Sequence, residues 1–227
     1  MLEEEGALSR ATRDIDMILF VEALTGDFIK AFWSFIDAGG YQTKLRSSGK
    51  PRLYRFQKPK DRNYPYLIEL FSRDESMIGE SPQDGIIPLA APDELSDLSA
   101  ILLNENYYSL AQKGARVLNG ITILGTHEII LFKAKAYLEL SSQKASGSLV
   151  HISDIKKHRN DIFRLACILS EKPYLIDDDL IKSDLVAFID IAKPTSEELW
   201  ALKVGITNPD QLIETLGKVF LPGIASL

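Results

Sequence analysis

The sequence predicts an α+β protein: a small mixed β-sheet core with helices over residues 1–125, followed by a helical domain over residues 126–227. Two observations carry this. Short β-branched and apolar runs separated by polar turns dominate the first half, whereas apolar positions recur at helical spacing from Thr126 onward. The composition, 45% hydrophobic and 26% charged over 227 residues, is that of a globular chain with core enough for one or two domains.

The elements follow in order. Ile15–Val21 is a short apolar run headed by two acids and reads as a buried strand. Asp27–Ala38 reads as an amphipathic helix, because Phe28, Ala31, Phe32, Phe35 and Ile36 fall on one face; Gly39 and Gly40 supply its C-terminal stop. Strand-like pieces follow at Tyr41–Arg46, Arg52–Gln57 and Tyr66–Ser72, joined by polar turns. Ile86–Leu89 and Val117–Leu124 are expected as strands, with a short helix somewhere in Pro92–Ala111.

The second half reads as helices throughout. His127–Leu140 is one, Ser153 is expected to cap a second that runs to Ser170, and Asp177–Ala192 is a third. Thr195 and Glu198 have the spacing of a capping box, in which each side chain bonds the other's backbone N–H. Asn208-Pro209 offers an N-cap followed by proline at the first helical position.

Charge and cysteine content narrow the function classes. With 26 basic and 32 acidic side chains the net charge is −6, which excludes a generally basic nucleic-acid coat but not a local basic patch. The single cysteine, Cys167, excludes an intramolecular disulfide framework and a Cys-rich zinc site, and suits a reducing compartment. MLEEEGALSR is acidic where a signal peptide is basic and then apolar, and no apolar run approaches the roughly 20 residues of a membrane helix. A cytoplasmic protein, free of the membrane, is the expectation.

The candidate chemistry lies in Arg10-Ala-Thr12-Arg13-Asp14-Ile-Asp16. Residues two apart on a strand share a face, so Asp14 and Asp16 project together while Ile15, Met17 and Leu19 project oppositely. Two adjacent carboxylates at the head of an apolar strand repel each other and lose hydration, so they call for a cation. A hard divalent ion with oxygen ligands, Mg²⁺ or Mn²⁺, suits them. Glu69 interrupts the apolar strand Tyr66–Phe71, and beside the two aspartates it would complete a cage for two metals about 3.5–4 Å apart. Simpler arrangements stand alongside: Asp14 salt-bridged to Arg10 or Arg13, and Glu69 facing solvent at a sheet edge.

These segments resemble a known family. RATRDIDMIL followed by FIKAFWSFIDAGGY is similar to the metal-binding segment of the DNA polymerase β-type nucleotidyltransferases, and more closely to the AbiEii-like abortive-infection enzymes with their R-x-(S/T)-x-D-h-D strand. LFKAKAYLEL (Leu131–Leu140) looks like that family's K-x-x-A helix and KKHRNDIFRLACIL (Lys156–Leu169) like its KD-x-x-D helix. The resemblance spans roughly residues 8–170. It implies Asp14 and Asp16 as metal ligands, Glu69 as a third carboxylate where aspartate is more usual, and Arg10, Thr12, Arg13, Lys133 and Asp161 near the nucleotide. Two departures stand out. Arg164 occupies the place of the second aspartate of KD-x-x-D, and no Gly-Gly or Gly-Ser pair precedes Asp14. Such a turn holds nucleotide phosphates on backbone N–H groups, so either the chain is truncated before that segment or this grip has been lost.

Other features carry less. Lys44, Arg46, Lys50, Arg52, Arg55, Lys58, Lys60 and Arg62 form a basic stretch interleaved with Tyr41, Tyr54, Phe56, Tyr64 and Tyr66; it suits either phosphates and stacked bases or a merely solvated hairpin. His158 falls on an apolar stripe with Ile155, Ile162, Leu165 and Leu169, which predicts a core histidine bonded to backbone. Cys167 reads as inert packing. By resemblance, the expected function is a metal-dependent nucleotidyltransferase that moves a nucleoside monophosphate from an NTP to a hydroxyl acceptor such as RNA, in a toxin–antitoxin or phage-defence setting with an antitoxin partner. The alternatives are an inactive domain of this fold that binds a nucleotide or a partner protein, and a purely structural domain with acids on its surface.

Overall fold

The computed structural model describes residues 13–20, 25–45, 51–73, 86–88 and 99–223, and it is a mixed α+β structure. The chain divides into two compact units, residues 11–112 and residues from 113 onward. The division falls before the expected position at 125 because a hairpin at 115–124 belongs with the helices that follow it.

The first unit is built on a six-stranded mixed sheet. Strand β1 (Asp14–Ile18) runs parallel to β4 (Leu67–Ser72), and β3 (Pro51–Gln57) runs antiparallel to β4 and to β2 (Gln42–Leu45). Strand β6 (Ser99–Leu102) pairs in parallel with the end of β4, and β5 (Ile86–Pro88) pairs antiparallel with β6. Helix α1 (Gly26–Gly39) starts where the Thr25 hydroxyl accepts the Phe28 N–H at 3.2 Å and stops at Gly40, whose φ of 61° lies in the left-handed region. Its buried face is Ile29, Phe32 and Ile36, and it packs on Leu19, Tyr54, Phe56, Ile68 and Leu70. The expected stripe is therefore corrected: Ala31 and Phe35 are exposed, because the face is set by Ile29 and Ile36 meeting the sheet.

Helix α2 (Glu105–Gly114) begins with the Asn104 side chain accepting the Tyr107 N–H at 3.0 Å. The helix expected within Pro92–Ala111 thus starts late. Ser99–Leu102 is a strand instead, because its pairing with Phe71 and Ser72 decides a run too short for periodicity to settle.

The second unit opens with the hairpin β7 (Ala115–Leu118) and β8 (Ile121–Leu124), where a single strand over Val117–Leu124 was expected. Asn119 and Gly120 both have positive φ, 51° and 79°, which is what a tight two-residue turn requires. Five helices follow: α3 (Thr126–Ala145), α4 (Ile152–Ala166), α5 (Asp179–Ile191), α6 (Ser196–Leu202) and α7 (Pro209–Phe220). Helix α3 packs on α4 and α5, and α4 on α6 and α7. The core includes Ile130, Leu131, Ile162, Phe163, Leu185, Phe188, Leu212, Leu216 and Phe220. The capping box of Thr195 and Glu198 and the Asn208-Pro209 start are both present. The expected Ser153 cap is not: α4 begins at Ile152, after extended backbone at His151, which leaves Ser153 inside the first turn. Among the described residues no helix is long and apolar enough to cross a membrane.

Candidate active site

The parallel pairing of β1 and β4 places Asp14 opposite Leu67 and Asp16 opposite Glu69. Residues opposite each other in a ladder share a sheet face, so Asp14, Asp16 and Glu69 lie on one face. The alternation along β4 agrees: Ile68 and Leu70 are buried under α1, while Leu67, Glu69 and Phe71 are half-buried on the other side. Asp14 is half-buried and Asp16 exposed. The expected convergence of two strands on one acidic face is thus present at the level of register.

Glu69 has a further neighbour that sequence reading did not single out. Arg55 stands opposite it in the antiparallel β3–β4 pairing, and its Nη1 lies 3.3 Å from Glu69 Oε1. The signal was available, since Arg55 alternates with the buried Tyr54 and Phe56 and so must face the acids. The Arg55 Nε is buried with no hydrogen-bond partner among the described residues. Asp14, Asp16 and Glu69 each make other interactions as well. Among the described residues, no group of three or more histidine, cysteine or acidic side chains has the geometry to hold a metal. The two aspartates still present the oxygen donors that a hard cation takes.

Arg10 and Thr12 lie outside the described residues. Arg13 is described, and it ties down the β3–β4 loop: its Nη2 donates to the carbonyl of Arg62 and, at 3.5 Å, to that of Tyr64.

In the helical unit, Lys133 on α3 meets Asp161 on α4, with Nζ 2.9 Å from Oδ2. Arg164, the departure from the family's second aspartate, lies 3.3 Å from the other oxygen of Asp161. One carboxylate is therefore shared by two cations. His158, one turn before Asp161, has its Nδ1 buried without a hydrogen-bond partner among the described residues. Burial, reinforced by the charges of Lys133 and Lys157, lowers its pKa to about 4, so the ring is neutral at neutral pH. His127 stacks on Tyr174 with ring centroids 4.7 Å apart, and the Cys167 thiol donates to the Phe163 carbonyl.

Compared with protein-family profiles, with curated proteins and with solved structures, the chain matches none. What the fold and the site define is a class by architecture: an α+β protein with a small mixed sheet, one face under a helix and the other bearing acids.

Proposed function

We propose that this protein is a metal-dependent nucleotidyltransferase that moves a nucleoside monophosphate from an NTP to a hydroxyl acceptor. The observation that carries the reading is the parallel register that sets Asp16 beside Glu69, with Asp14 two residues away on the same sheet face, opposite the one under α1. Asp14 and Asp16 would hold Mg²⁺ or Mn²⁺, and the ion would neutralise triphosphate charge; Glu69 lies on the same face without closing a three-carboxylate cage with them. The transfer joins the acceptor oxygen to the α-phosphorus and releases pyrophosphate. Arg55 steadies Glu69 on this face by an ion pair. A nucleotide role for Lys133 and Asp161 rests on the resemblance alone; within the helical unit, Asp161 fixes the Lys133 ammonium in place. The toxin–antitoxin setting and an antitoxin partner rest on the resemblance alone.

The ion pair between Arg55 and Glu69 also favours a second reading, in which the acidic face binds a nucleotide or partner protein without metal and without turnover. Titration calorimetry with MgATP, MgGTP, MgCTP and MgUTP on wild type and Asp14→Asn separates the two. The transfer reading expects a triphosphate to bind only with metal, and at least about tenfold more weakly in the variant. Triphosphate binding indifferent to both metal and Asp14, or no binding at all, would overturn it.

A further inference from the structure

The β3–β4 loop, residues 58–66, is a rigid platform whose charges point outward. Its backbone is fixed from several sides. Lys60 N–H donates to the Gly39 carbonyl at 2.9 Å, Tyr66 N–H to Arg13 at 2.6 Å and Lys58 N–H to Tyr66 at 3.0 Å. The Tyr41 hydroxyl donates to the Pro65 carbonyl at 2.7 Å, and Arg13 clasps the carbonyls of Arg62 and Tyr64. Gly39 is required beneath the loop, because a Cβ there would come within 2.6 Å of the Tyr41 ring and 2.8 Å of the Tyr64 ring.

On this frame Lys58, Lys60 and Arg62 are exposed, and none forms an ion pair among the described residues. The single acid of the loop, Asp61, is also exposed, and its carboxylate accepts the Asn63 N–H at 2.9 Å. Three cations and one anion leave a local charge of 3 − 1 = +2 on a chain of net charge −6. Exposed aromatic surface lies on the same platform: Tyr66 is 47% exposed, and Phe35, 40% exposed, packs on Tyr64 with ring centroids 4.9 Å apart. Exposed cations on a hydrogen-bonded frame beside exposed rings match a polyanion carrying flat bases better than an acidic peptide, which offers charge without stacking partners.

We propose that this loop docks single-stranded RNA. The choice of RNA over DNA rests on the transfer reading above, since a ribonucleotide end supplies vicinal hydroxyls as acceptors. The place suits it: Tyr66 bonds the backbone of Arg13, the residue before Asp14, so the platform adjoins the start of the acidic strand. A strand lying on the loop has its end beside the carboxylate face.

Fluorescence anisotropy with a labelled 12-nucleotide mixed-sequence RNA tests this on the full chain. Wild type is expected to bind with a strong salt dependence. Lys60→Gln combined with Arg62→Gln should weaken binding at least tenfold and flatten the salt slope by about 1.4, or 0.7 for each phosphate no longer neutralised. Tyr66→Ala should weaken it about 5- to 100-fold by removing a stacking ring. If Tyr66→Ala does not fold, by circular dichroism, the double glutamine variant at exposed positions decides alone. Absence of wild-type binding, or equal affinity in the double variant, overturns the proposal. So does displacement of the RNA by polyglutamate or by DNA of the same length as readily as by unlabelled RNA. A loop-dependent RNA affinity alongside failed MgNTP calorimetry would sink the transfer reading and leave the docking surface standing.

Discussion

His158 shows how a single ring can connect packing to pH. Desolvation dominates its lowered pKa of about 4, Lys133 and Lys157 add repulsion, and Asp161 and Asp154 oppose it more weakly. In the unfolded chain the same ring takes its proton near pH 6.5. Between about pH 6.5 and pH 4 the unfolded state therefore binds more protons than the folded one, and stability falls as the pH falls through that window. The full difference is screened by the solvent that reaches the ring, leaving about 1–2 kcal/mol. Urea unfolding at a series of pH values checks it. His158→Gln, which carries no titrating group, is expected to flatten the slope between pH 6.5 and 4; an unchanged slope would show that other groups govern it. Sequence periodicity placed this ring on the inner side of α4, and it is half-buried there. It did not reveal the cost, because that comes first from the desolvation that tertiary packing imposes and then from Lys133 on a different helix, 25 positions away in the chain.

At the scale of elements, local chemistry decided the ends and pairing decided the middles. The capping box is the clearest case. Thr195 Oγ1 accepts the Glu198 N–H at 3.2 Å, and Glu198 Oε2 accepts the Thr195 N–H at 3.1 Å. The other carboxylate oxygen takes a 2.6 Å hydrogen bond from Arg159 on α4, and these bonds hold the Glu198 pKa below its ordinary value, with that from Arg159 foremost. Thr195→Ala should cost about 1 kcal/mol and lower the midpoint of thermal unfolding by about 2–4 °C, with Thr195→Ser nearly neutral. Calorimetric melts check it; an unshifted midpoint would mean that Arg159 alone holds the helix start. Such four-residue signals are legible because all their partners are near in sequence. The Asn119-Gly120 turn was equally local, yet the apolar run around it hid the hairpin. Strand β6 was illegible for a different reason, since its partner is β4, far away in sequence. The acidic face sits between these cases. Alternation put Asp14 and Asp16 together and Glu69 stood out as an acid inside an apolar strand, but only the β1–β4 register set Glu69 opposite Asp16, and only the β3–β4 register added Arg55.

At the scale of the whole molecule, the length allows one large domain or one core with a helical appendage, and the chain forms two compact units. The stretch 113–227, which carries all the helices of this unit after α2, comprises 115 residues, within the range in which a single core sustains a fold. Its buried side chains come from α3, α4, α5, α6 and α7, all inside the unit. It also contains its own polar ties. The buried Glu128 accepts the Tyr174 hydroxyl at 2.8 Å, and burial together with that bond raises the Tyr174 pKa well above its ordinary value. The Glu128 carboxylate lies so close to the backbone of Gly114 and Gly125 that a Cβ at either would come within 2.5 Å of it. The fragment 113–227, expressed alone, is therefore expected to give a helical circular dichroism spectrum and a single cooperative melt. Phe163→Ala in the same fragment removes a fully buried ring, and the expected loss of about 3–5 kcal/mol rivals the entire stability of a small domain. That variant should lose the transition. A broad, non-cooperative melt in the unmutated fragment would mean that these helices depend on residues 1–112 for their fold, and that the two compact units are not units of stability.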